Sequence, residues 1–282
     1  MAVLVIGASG QIGRFLLPRL ATRGERVIAF SRQEQAPIEG VQWVRAQVPD
    51  SPLPEGRITA IISMGPLVGF DEWLSRIDLH QRPRVIATSS MSAQSKLDSE
   101  LRSERELAQS MRDSEARMAR LCDRHGCPWI VLRPTMIYGI GMDKTLSPIA
   151  RRAMQTGVFP LLQGEGLRQP VHADDIAQAI VAALDRREAS GYILPIGGGE
   201  RLSVRDMFVR VRRSLPRWTL PMPVPLRALR MLRYFMQNVR GTLSRFQTDL
   251  VADNTELERR LGVRPRPFRP DPSCWEPSGR VR

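Results

Sequence analysis

A glycine-rich turn near the start of the chain constrains its fold more than any other feature of the sequence. Residues 7–13 read GASGQIG, so glycines stand at Gly7, Gly10 and Gly13. An apolar run rich in β-branched residues precedes this turn, and apolar residues at helical spacing follow it. Glycines at these positions allow a tight turn and let backbone N–H groups approach an anion at the start of a helix. The turn therefore predicts a strand–turn–helix unit that binds the pyrophosphate of a dinucleotide.

Short runs of the kind buried on both faces of a parallel sheet alternate with longer helical segments through the first two thirds of the chain. Right-handed crossovers between such strands give a doubly wound sheet, so we expect an α/β fold of the Rossmann type. The helical segments cover residues 12–23, 99–124 and 174–184. The predicted strands are Ala2–Ile6, Arg26–Phe30, Gln42–Arg45, Ile58–Ser63, Arg84–Thr88 and Trp129–Leu132.

The composition changes after residue 200. Residues 201–245 contain eleven arginines and a single acidic residue. We therefore predict an NAD(P)-binding Rossmann domain over residues 1–200, followed by a small, mostly helical C-terminal cap over residues 201–282 that forms the substrate region. The tail after Gly262 carries five prolines and is expected to be extended or loosely packed rather than helical.

The formal net charge of +13 raises nucleic acid or an anionic membrane surface as a partner. Only Lys96 and Lys144 are lysines, and the rest of the Lys+Arg total is arginine. That pattern is more typical of codon bias than of a surface selected to bind phosphates. No basic patch interleaved with aromatic residues accompanies the charge, so nucleic-acid binding is not expected.

Cysteine usage predicts a reducing compartment, and the pattern of apolar runs predicts a protein without a membrane span. Cys122, Cys127 and Cys274 are odd in number and lack metal-ligand spacing, so we expect reduced thiols and no metal site. No apolar run reaches the ~18 residues of a membrane-spanning helix, and the first strand leaves no room for a signal peptide. The sequence therefore predicts a cytoplasmic protein.

The end of the second predicted strand distinguishes the two nicotinamide dinucleotides. NAD-preferring sites have a carboxylate there that accepts the adenosine ribose hydroxyl, whereas a 2′-phosphate requires a cation. Here the position reads Ser31-Arg32. Because Arg32 can pair with the 2′-phosphate and Ser31 can donate a hydrogen bond to it, NADP(H) is favoured over NAD(H). The alternative for Arg32 is an ordinary solvated arginine.

Three further segments resemble one protein family, the extended and atypical short-chain dehydrogenase/reductases around the NAD-dependent epimerase/dehydratases. Residues 87–91 read ATSSM, residues 133–139 read RPTMIYG, and residues 164–175 read GEGLRQPVHADD. Together with the glycine turn, the resemblance covers roughly residues 1–200. Residues 253–262 are similar to the C-terminal end of the family.

The resemblance implies roles for individual residues. Ser90 matches the catalytic hydroxyl, and Tyr138 is a second catalytic candidate. Arg168 matches an arginine that pairs with a substrate phosphate in sugar-nucleotide members, and Met91 is expected beside the substrate. The cofactor is expected to contact Gly7, Ser9, Gly10, Gln11, Ile12, Gly13, Ser31, Arg32, Met64, Gly65, Thr88, Pro134, Thr135 and Ile137.

Several of these assignments have a structural alternative. Tyr138 often serves packing in this loop, and Arg168 could be a surface arginine. His172 is a weaker acid/base candidate, because the family segment that it matches usually serves packing.

The catalytic pair of the family is missing from this sequence. Active members carry Tyr-x-x-x-Lys on the long helix after the fifth strand, where the lysine lowers the tyrosine pKa so that the phenol can exchange a proton with the substrate. Counting back from Glu115, which resembles the glutamate that follows the pair, assigns Leu107 and Met111 to these positions. No tyrosine or lysine stands between Leu97 and Trp129, so a small shift of register does not restore the pair.

Three functions remain open. The chain could be an oxidoreductase or epimerase that acts on a carbonyl or alcohol through Ser90, Tyr138 and a proton from water or substrate. It could instead be a catalytically inactive dinucleotide-binding sensor or assembly subunit. The third function is that of a membrane-surface protein, which the basic amphipathic stretch Leu226–Phe246 indicates. Alternatively, the apolar residues of this stretch pack onto the substrate cleft. A homodimer through the long helix rests on fold-level analogy.

Overall fold

The computed structural model describes residues 1–164, 166–186, 188–224 and 249–276. The chain forms two compact units. The first comprises Met1–Pro134, Ala173–Ile196 and Asp253–Arg264, and the second comprises Thr135–His172, Gly197–Ala252 and Pro265–Arg282. The sequence predicted one boundary at residue 200, whereas the chain passes between the two units several times.

A seven-stranded parallel sheet forms the centre of the first unit. Its order is β11-β6-β5-β4-β1-β2-β3, which is the doubly wound arrangement predicted from the sequence. Six strands agree with the predicted runs to within two residues, and β11 was not predicted. In chain order, the strands are β1 (Ala2–Ile6), β2 (Val27–Ser31), β3 (Val41–Arg45), β4 (Ile58–Ser63), β5 (Arg84–Thr88), β6 (Trp129–Pro134) and β11 (Tyr192–Ile196).

Helices of the first unit follow the strands as crossovers. The longest, α4 (Arg102–His125), is capped by Gly126, whose φ of 66° is the left-handed conformation that glycine adopts after a helix C-terminus. The first helix buries Leu16, Leu17 and Leu20 on one face, as its spacing predicts. The helices are α1 (Gln11–Thr22), α2 (Leu67–Arg76), α3 (Ser92–Ser95), α4 (Arg102–His125), α6 (Ala173–Asp185) and α8 (Thr255–Leu261).

The core of the first unit consists of the central strands and the helix faces packed on them. Every residue of β1, β2 and β5 is buried, which explains why their sequences are continuous apolar runs rather than alternating ones. Cys122 and Cys127 are free thiols in this core, and burial raises the pKa of both. They therefore serve packing.

The described residues of the second unit form three small sheets and two α-helices. Strand β7 (Ile137–Tyr138) pairs with β10 (Val171–His172), β8 (Val158–Leu162) pairs with β13 (Leu220–Val224), and β9 (Leu167–Arg168) pairs with β12 (Leu202–Ser203). Its helices are α5 (Leu146–Thr156) and α7 (Val204–Arg213). Five aromatic residues lie in its core, namely Tyr138, Phe159, Phe208, Phe268 and Trp275.

The proline-rich tail is extended, as predicted, but it is not loosely packed. Phe268 and Trp275 are both fully buried. The indole N–H of Trp275 donates to Ser214 Oγ at 2.8 Å, and the backbone N–H of Gly141 donates to the Cys274 carbonyl at 2.7 Å. Burial of the two rings holds the tail against the unit, an effect that the proline count alone does not indicate.

The described helices include none long and apolar enough to cross a membrane. The basic stretch Leu226–Phe246, on which the membrane-surface interpretation depended, lies entirely outside the described residues. The expected C-terminal cap is represented in the described residues by α7, α8 and the buried tail.

Candidate active site

The turn between β1 and α1 admits only glycine at two of its positions. Gly7 has a φ of +76°, and a Cβ there would lie 3.0 Å from the backbone nitrogen of Gly65. A Cβ on Gly13 would lie 1.9 Å from the carbonyl oxygen of Ala8. Gly10 is the N-cap of α1, and its first turn has no side-chain cap among the described residues. The backbone N–H groups in the first turn of α1 are therefore available to an anionic ligand.

The predicted cofactor residues of the first unit lie at the carboxyl edge of the sheet. Gly7 is in contact with the segment after β4, because Met64 donates its N–H to the Ile6 carbonyl at 2.9 Å and Gly65 follows it. Thr88 ends β5 and is buried. Ligands of doubly wound folds bind at this edge.

Three buried polar atoms near this edge have no hydrogen-bond partner among the described residues. They are Gln11 Oε1 at the start of α1, Ser63 Oγ at the end of β4 and Ser89 Oγ just after β5. Because buried polar groups in folded proteins are nearly always paired, such atoms indicate a polar ligand. Together with the glycine turn, they fit a nicotinamide dinucleotide.

The two residues expected to recognise a 2′-phosphate differ in their environment. Ser31 is buried, and its hydroxyl donates to the Gln33 carbonyl at 2.6 Å and accepts the Gln33 N–H at 3.2 Å. Its hydrogen is therefore used within the turn, contrary to the expected donation to a phosphate. Arg32 is exposed at the end of β2, so of these two residues Arg32 is the one whose donors are open to a 2′-phosphate.

Ser90 lies between β5 and α3 and is partly exposed. Its Oγ accepts the N–H of Ser92 at 3.1 Å, which fixes the oxygen and leaves the hydroxyl hydrogen to a substrate. Met91 is buried, and its N–H donates to the Pro134 carbonyl at 2.9 Å. Ser90 is thus held on rigid backbone at the carboxyl edge of the sheet.

A buried ion pair joins Glu115 of α4 to Arg133 of β6. Arg133 donates Nε to Glu115 Oε1 at 2.8 Å and Nη2 to the other carboxylate oxygen, and the Glu115 side chain is 1% exposed. This is the glutamate from which the Tyr-x-x-x-Lys positions are counted. Leu107 and Met111, at those positions, are exposed and partly exposed side chains of α4, and neither can exchange a proton.

The remaining predicted residues belong to the second unit. The Thr135 hydroxyl donates to the Gln169 carbonyl, and Ile137 pairs with Val171. Tyr138 is 1% exposed and makes an edge-to-face contact with the His172 ring, with centroids 5.0 Å apart. The Tyr138 ring therefore packs inside the second unit, and its catalytic role stays a prediction.

Arg168 is a buried arginine rather than a surface one. It is 3% exposed, and its Nη1 donates to the Leu167 carbonyl at 2.7 Å. Burial lowers the pKa of Arg168, and the charge of Asp249 opposes that shift. An arginine stays protonated in proteins, so the second unit contains a buried guanidinium cation.

Gln169 is a buried residue of the second unit that was not predicted as a site residue. Its Nε2 donates to the Gly198 carbonyl at 2.7 Å, and its Oε1 accepts the Ala252 N–H at 2.8 Å. A Cβ on Gly197 would lie 2.5 Å from the Gln169 side chain. The run of three glycines at 197–199 is the signal that could have indicated this close approach.

Known proteins resemble this chain in sequence and in fold. A (4-alkanoyl-5-oxo-2,5-dihydrofuran-3-yl)methyl phosphate reductase from Streptomyces griseus subsp. griseus is 28% identical over 227 residues, covering 76% of this chain and 74% of that protein. MoeE5 in complex with UDP-glucuronic acid and NAD superposes with a TM-score of 0.74 at 17% identity, covering 98% of this chain and 97% of that one.

A second solved structure gives the same result. The UDP-glucuronic acid 4-epimerase from Bacillus cereus in complex with NAD has a TM-score of 0.71 at 16% identity, covering 98% of this chain and 97% of that one. At these identities, the solved structures show a shared fold. The sequence profile of the NAD dependent epimerase/dehydratase family matches residues 3–70 and 84–197, more than half of the chain. The chain therefore belongs to the NAD dependent epimerase/dehydratase family.

Proposed function

We propose that this protein is an NADP(H)-dependent reductase of carbonyl compounds that bear a phosphate group. The observation that carries the proposal is the turn at Gly13, where any side chain would overlap the Ala8 carbonyl oxygen. A turn without side chains lets the backbone approach the pyrophosphate of a dinucleotide closely. The family is nicotinamide-dinucleotide dependent, which supports the same conclusion.

Arg32 is the basis for NADP(H) over NAD(H). It is exposed at the end of β2, where NAD-preferring sites have a carboxylate. A carboxylate would repel the 2′-phosphate, whereas a guanidinium can pair with two of its oxygens.

The missing Tyr-x-x-x-Lys pair favours reduction over epimerisation. Epimerisation begins with oxidation of an alcohol, which requires a base to remove the hydroxyl proton. Leu107 and Met111 cannot supply that base. Reduction requires a proton only at the product oxygen, and water can deliver it. The 28% identical relative is itself named a reductase, which supports this direction.

Arg168 supports a phosphate-bearing substrate. A buried guanidinium pairs strongly with an anion because little water screens the charge. The name of the relative includes a methyl phosphate and an alkanoyl group, and we extend this pattern, a carbonyl compound with a phosphate, to the present protein as a class.

In this mechanism, the Ser90 hydroxyl donates a hydrogen bond to the carbonyl oxygen of the substrate and keeps its proton. The Ser92 N–H holds Ser90 Oγ at 3.1 Å, so the donor is oriented before the substrate arrives. When bound, the nicotinamide supplies the hydride. Negative charge that develops on the carbonyl oxygen is stabilised by Ser90, and water protonates that oxygen.

The alternative is a dinucleotide-binding protein without chemistry. The apolar residues at 107 and 111 favour it, because the family proton donor is gone. The two functions differ in turnover: a reductase consumes NADPH with a suitable carbonyl compound, and a sensor does not.

Replacing Arg32 with alanine tests the cofactor assignment. We expect NADPH to bind about 10- to 100-fold more weakly, because a charge-assisted hydrogen bond contributes about 1.5–3 kcal/mol. The affinity for NADH should not change. Calorimetric titration with both dinucleotides measures this, and Arg57→Ala, an exposed arginine elsewhere in the first unit, is the matched control. Failure of the native protein to bind either dinucleotide would contradict the proposal.

Replacing Ser90 with alanine tests the chemistry. Loss of one preorganised donor to the developing oxyanion should lower kcat about 100-fold with little change in NADPH affinity. A screen of phosphorylated ketones and aldehydes, followed by NADPH consumption, provides the assay. Ser92→Ala is the matched control, because its backbone N–H remains. Unchanged turnover in Ser90→Ala would refute the assignment, and absence of turnover across the screen would favour the non-catalytic alternative.

A further inference from the structure

Three exposed apolar side chains lie in or next to strand β13. Trp218, Leu220 and Met222 are 75%, 53% and 52% exposed, whereas Thr219 between the first two is 1% exposed. Single exposed apolar residues are common on protein surfaces. Three at alternating positions, one of them a tryptophan, form a patch of the kind that marks an interaction surface. We call Trp218, Leu220 and Met222 the apolar strip.

Exposed arginines lie close to the apolar strip. Arg213, Arg217 and Arg269 are exposed and have no ion-pair partner among the described residues. Arg213 and Arg269 line a cleft of about 510 Å³ that also includes Ser214 and Phe268. We call the three arginines the basic rim.

Carboxylates in this part of the second unit have other partners. Glu200 accepts from Arg210 at 3.1 Å, Asp206 accepts from Ser203 at 2.8 Å, and Asp271 accepts the Ser273 N–H at 2.8 Å. None of these three carboxylates forms an ion pair with an arginine of the basic rim among the described residues.

Chain connectivity brings the strip and the rim together. Trp218 is four residues from Ser214, and four residues span at most about 14 Å. Ser214 lines the same cleft as Arg213 and Arg269, so the tryptophan lies within that distance of the cleft lining.

We propose that the apolar strip and the basic rim dock this protein on an anionic lipid surface. Tryptophan favours the boundary between lipid headgroups and acyl chains, where its ring is in an apolar environment and its N–H reaches water. Arginines beside it are attracted to anionic headgroups. The sequence of residues 225–248, directly after β13, contains five arginines and no acidic residue. Charge complementarity thus selects an anionic bilayer, and this interaction is independent of the proposed reductase activity.

Vesicle flotation tests the docking surface. The full chain is mixed with vesicles of phosphatidylcholine and phosphatidylglycerol, or of phosphatidylcholine alone, at low salt and at ~1 M salt, where the Debye length falls to about 3 Å. We expect binding to the anionic vesicles at low salt and much weaker binding in the other conditions. No binding to anionic vesicles at low salt would overturn the proposal.

Two groups of substitutions identify the surface. Arg213→Gln, Arg217→Gln and Arg269→Gln together should weaken partitioning on the order of 100-fold, because each arginine near an anionic surface contributes about fivefold. Trp218→Ser with Leu220→Ser should also reduce binding, and should do so at both salt concentrations because burial of apolar area is not screened. All these side chains are exposed, so the variants should retain the thermal stability and NADPH affinity of the native protein.

Matched controls separate a specific surface from general basicity. Arg26→Gln, Arg57→Gln and Arg112→Gln remove the same charge from exposed positions of the first unit, and Val68→Ser removes an apolar side chain that is 49% exposed. These controls should bind vesicles like the native protein. Equal losses in the control and test variants would overturn the proposal. So would a change of oligomeric state in Trp218→Ser with Leu220→Ser, because the strip would then be covered by a second copy.

Discussion

Replacing Gly13 with alanine is expected to abolish dinucleotide binding and to destabilise the first unit. The added Cβ would lie 1.9 Å from the carbonyl oxygen and 2.5 Å from the carbonyl carbon of Ala8, both backbone atoms. No rotamer change can relieve a backbone overlap, so α1 must move away from β1. Overpacking of this kind costs about 1–3 kcal/mol and sometimes more, and the displaced N–H groups no longer converge on the pyrophosphate.

Thermal unfolding and NADPH titration of Gly13→Ala measure the two effects separately. We expect a lower Tm together with an affinity for NADPH that is reduced at least 100-fold. Gly65→Ala is the control for stability, because a Cβ at Gly65 would have no atom within 4 Å. That variant should unfold at the native temperature. Native NADPH affinity in Gly13→Ala would contradict the assignment of the turn as the pyrophosphate site.

The central sheet could be predicted from the sequence because its signals are local. Each predicted strand is a compact apolar run, and burial on both faces is what makes such a run continuous. The glycine turn likewise encodes its own geometry, since Gly7 has the positive φ that its position requires. Strand β11 was not predicted. It contains Pro195, and only Leu194 and Ile196 among its residues are fully buried, so it lacks the burial on both faces that marks the predicted strands.

The second unit could not be predicted, because its contacts join distant parts of the sequence. Residues 220–224 form a strand only by pairing with β8, more than fifty residues earlier. Phe268 and Trp275 are buried by helices and loops that the local proline pattern does not indicate. A local pattern reports the periodicity of one segment, not the surface against which the segment packs.

Some residues of the candidate site could be predicted and others could not, because the environment of a side chain depends on contacts that a local pattern does not show. Family resemblance identified Glu115, and its ion pair with Arg133 explains why the glutamate occurs at that position of α4. The environment of Ser31 depends on one hydrogen bond to Gln33, which residue type alone cannot reveal. Tyr138 has the chemistry of a catalytic residue, but residue type alone does not show that it packs against His172 and Phe268.

Replacing Arg133 with alanine should destabilise the protein by about 3–5 kcal/mol, because it leaves the Glu115 carboxylate buried without its partner. The Glu115 side chain is 1% exposed and that of Arg133 is 15% exposed, so water screens the pair little. For a chain of this size, the loss corresponds to a fall in Tm of roughly 10 °C. The damage should extend to the site, because Arg133 adjoins Pro134, whose carbonyl accepts the N–H of Met91, next to Ser90.

An exposed pair on the same helix provides the control for this prediction. Arg102 and Glu106 form an i,i+4 ion pair with side chains 86% and 62% exposed, and pairs of this kind contribute little to stability. Arg102→Ala should therefore leave Tm nearly unchanged. The double variant Arg133→Met with Glu115→Leu should recover much of the lost stability, because it removes the unpaired charge. Denaturation followed by circular dichroism measures all three. If Arg133→Ala were as stable as Arg102→Ala, the buried pair would not be what holds β6 to α4.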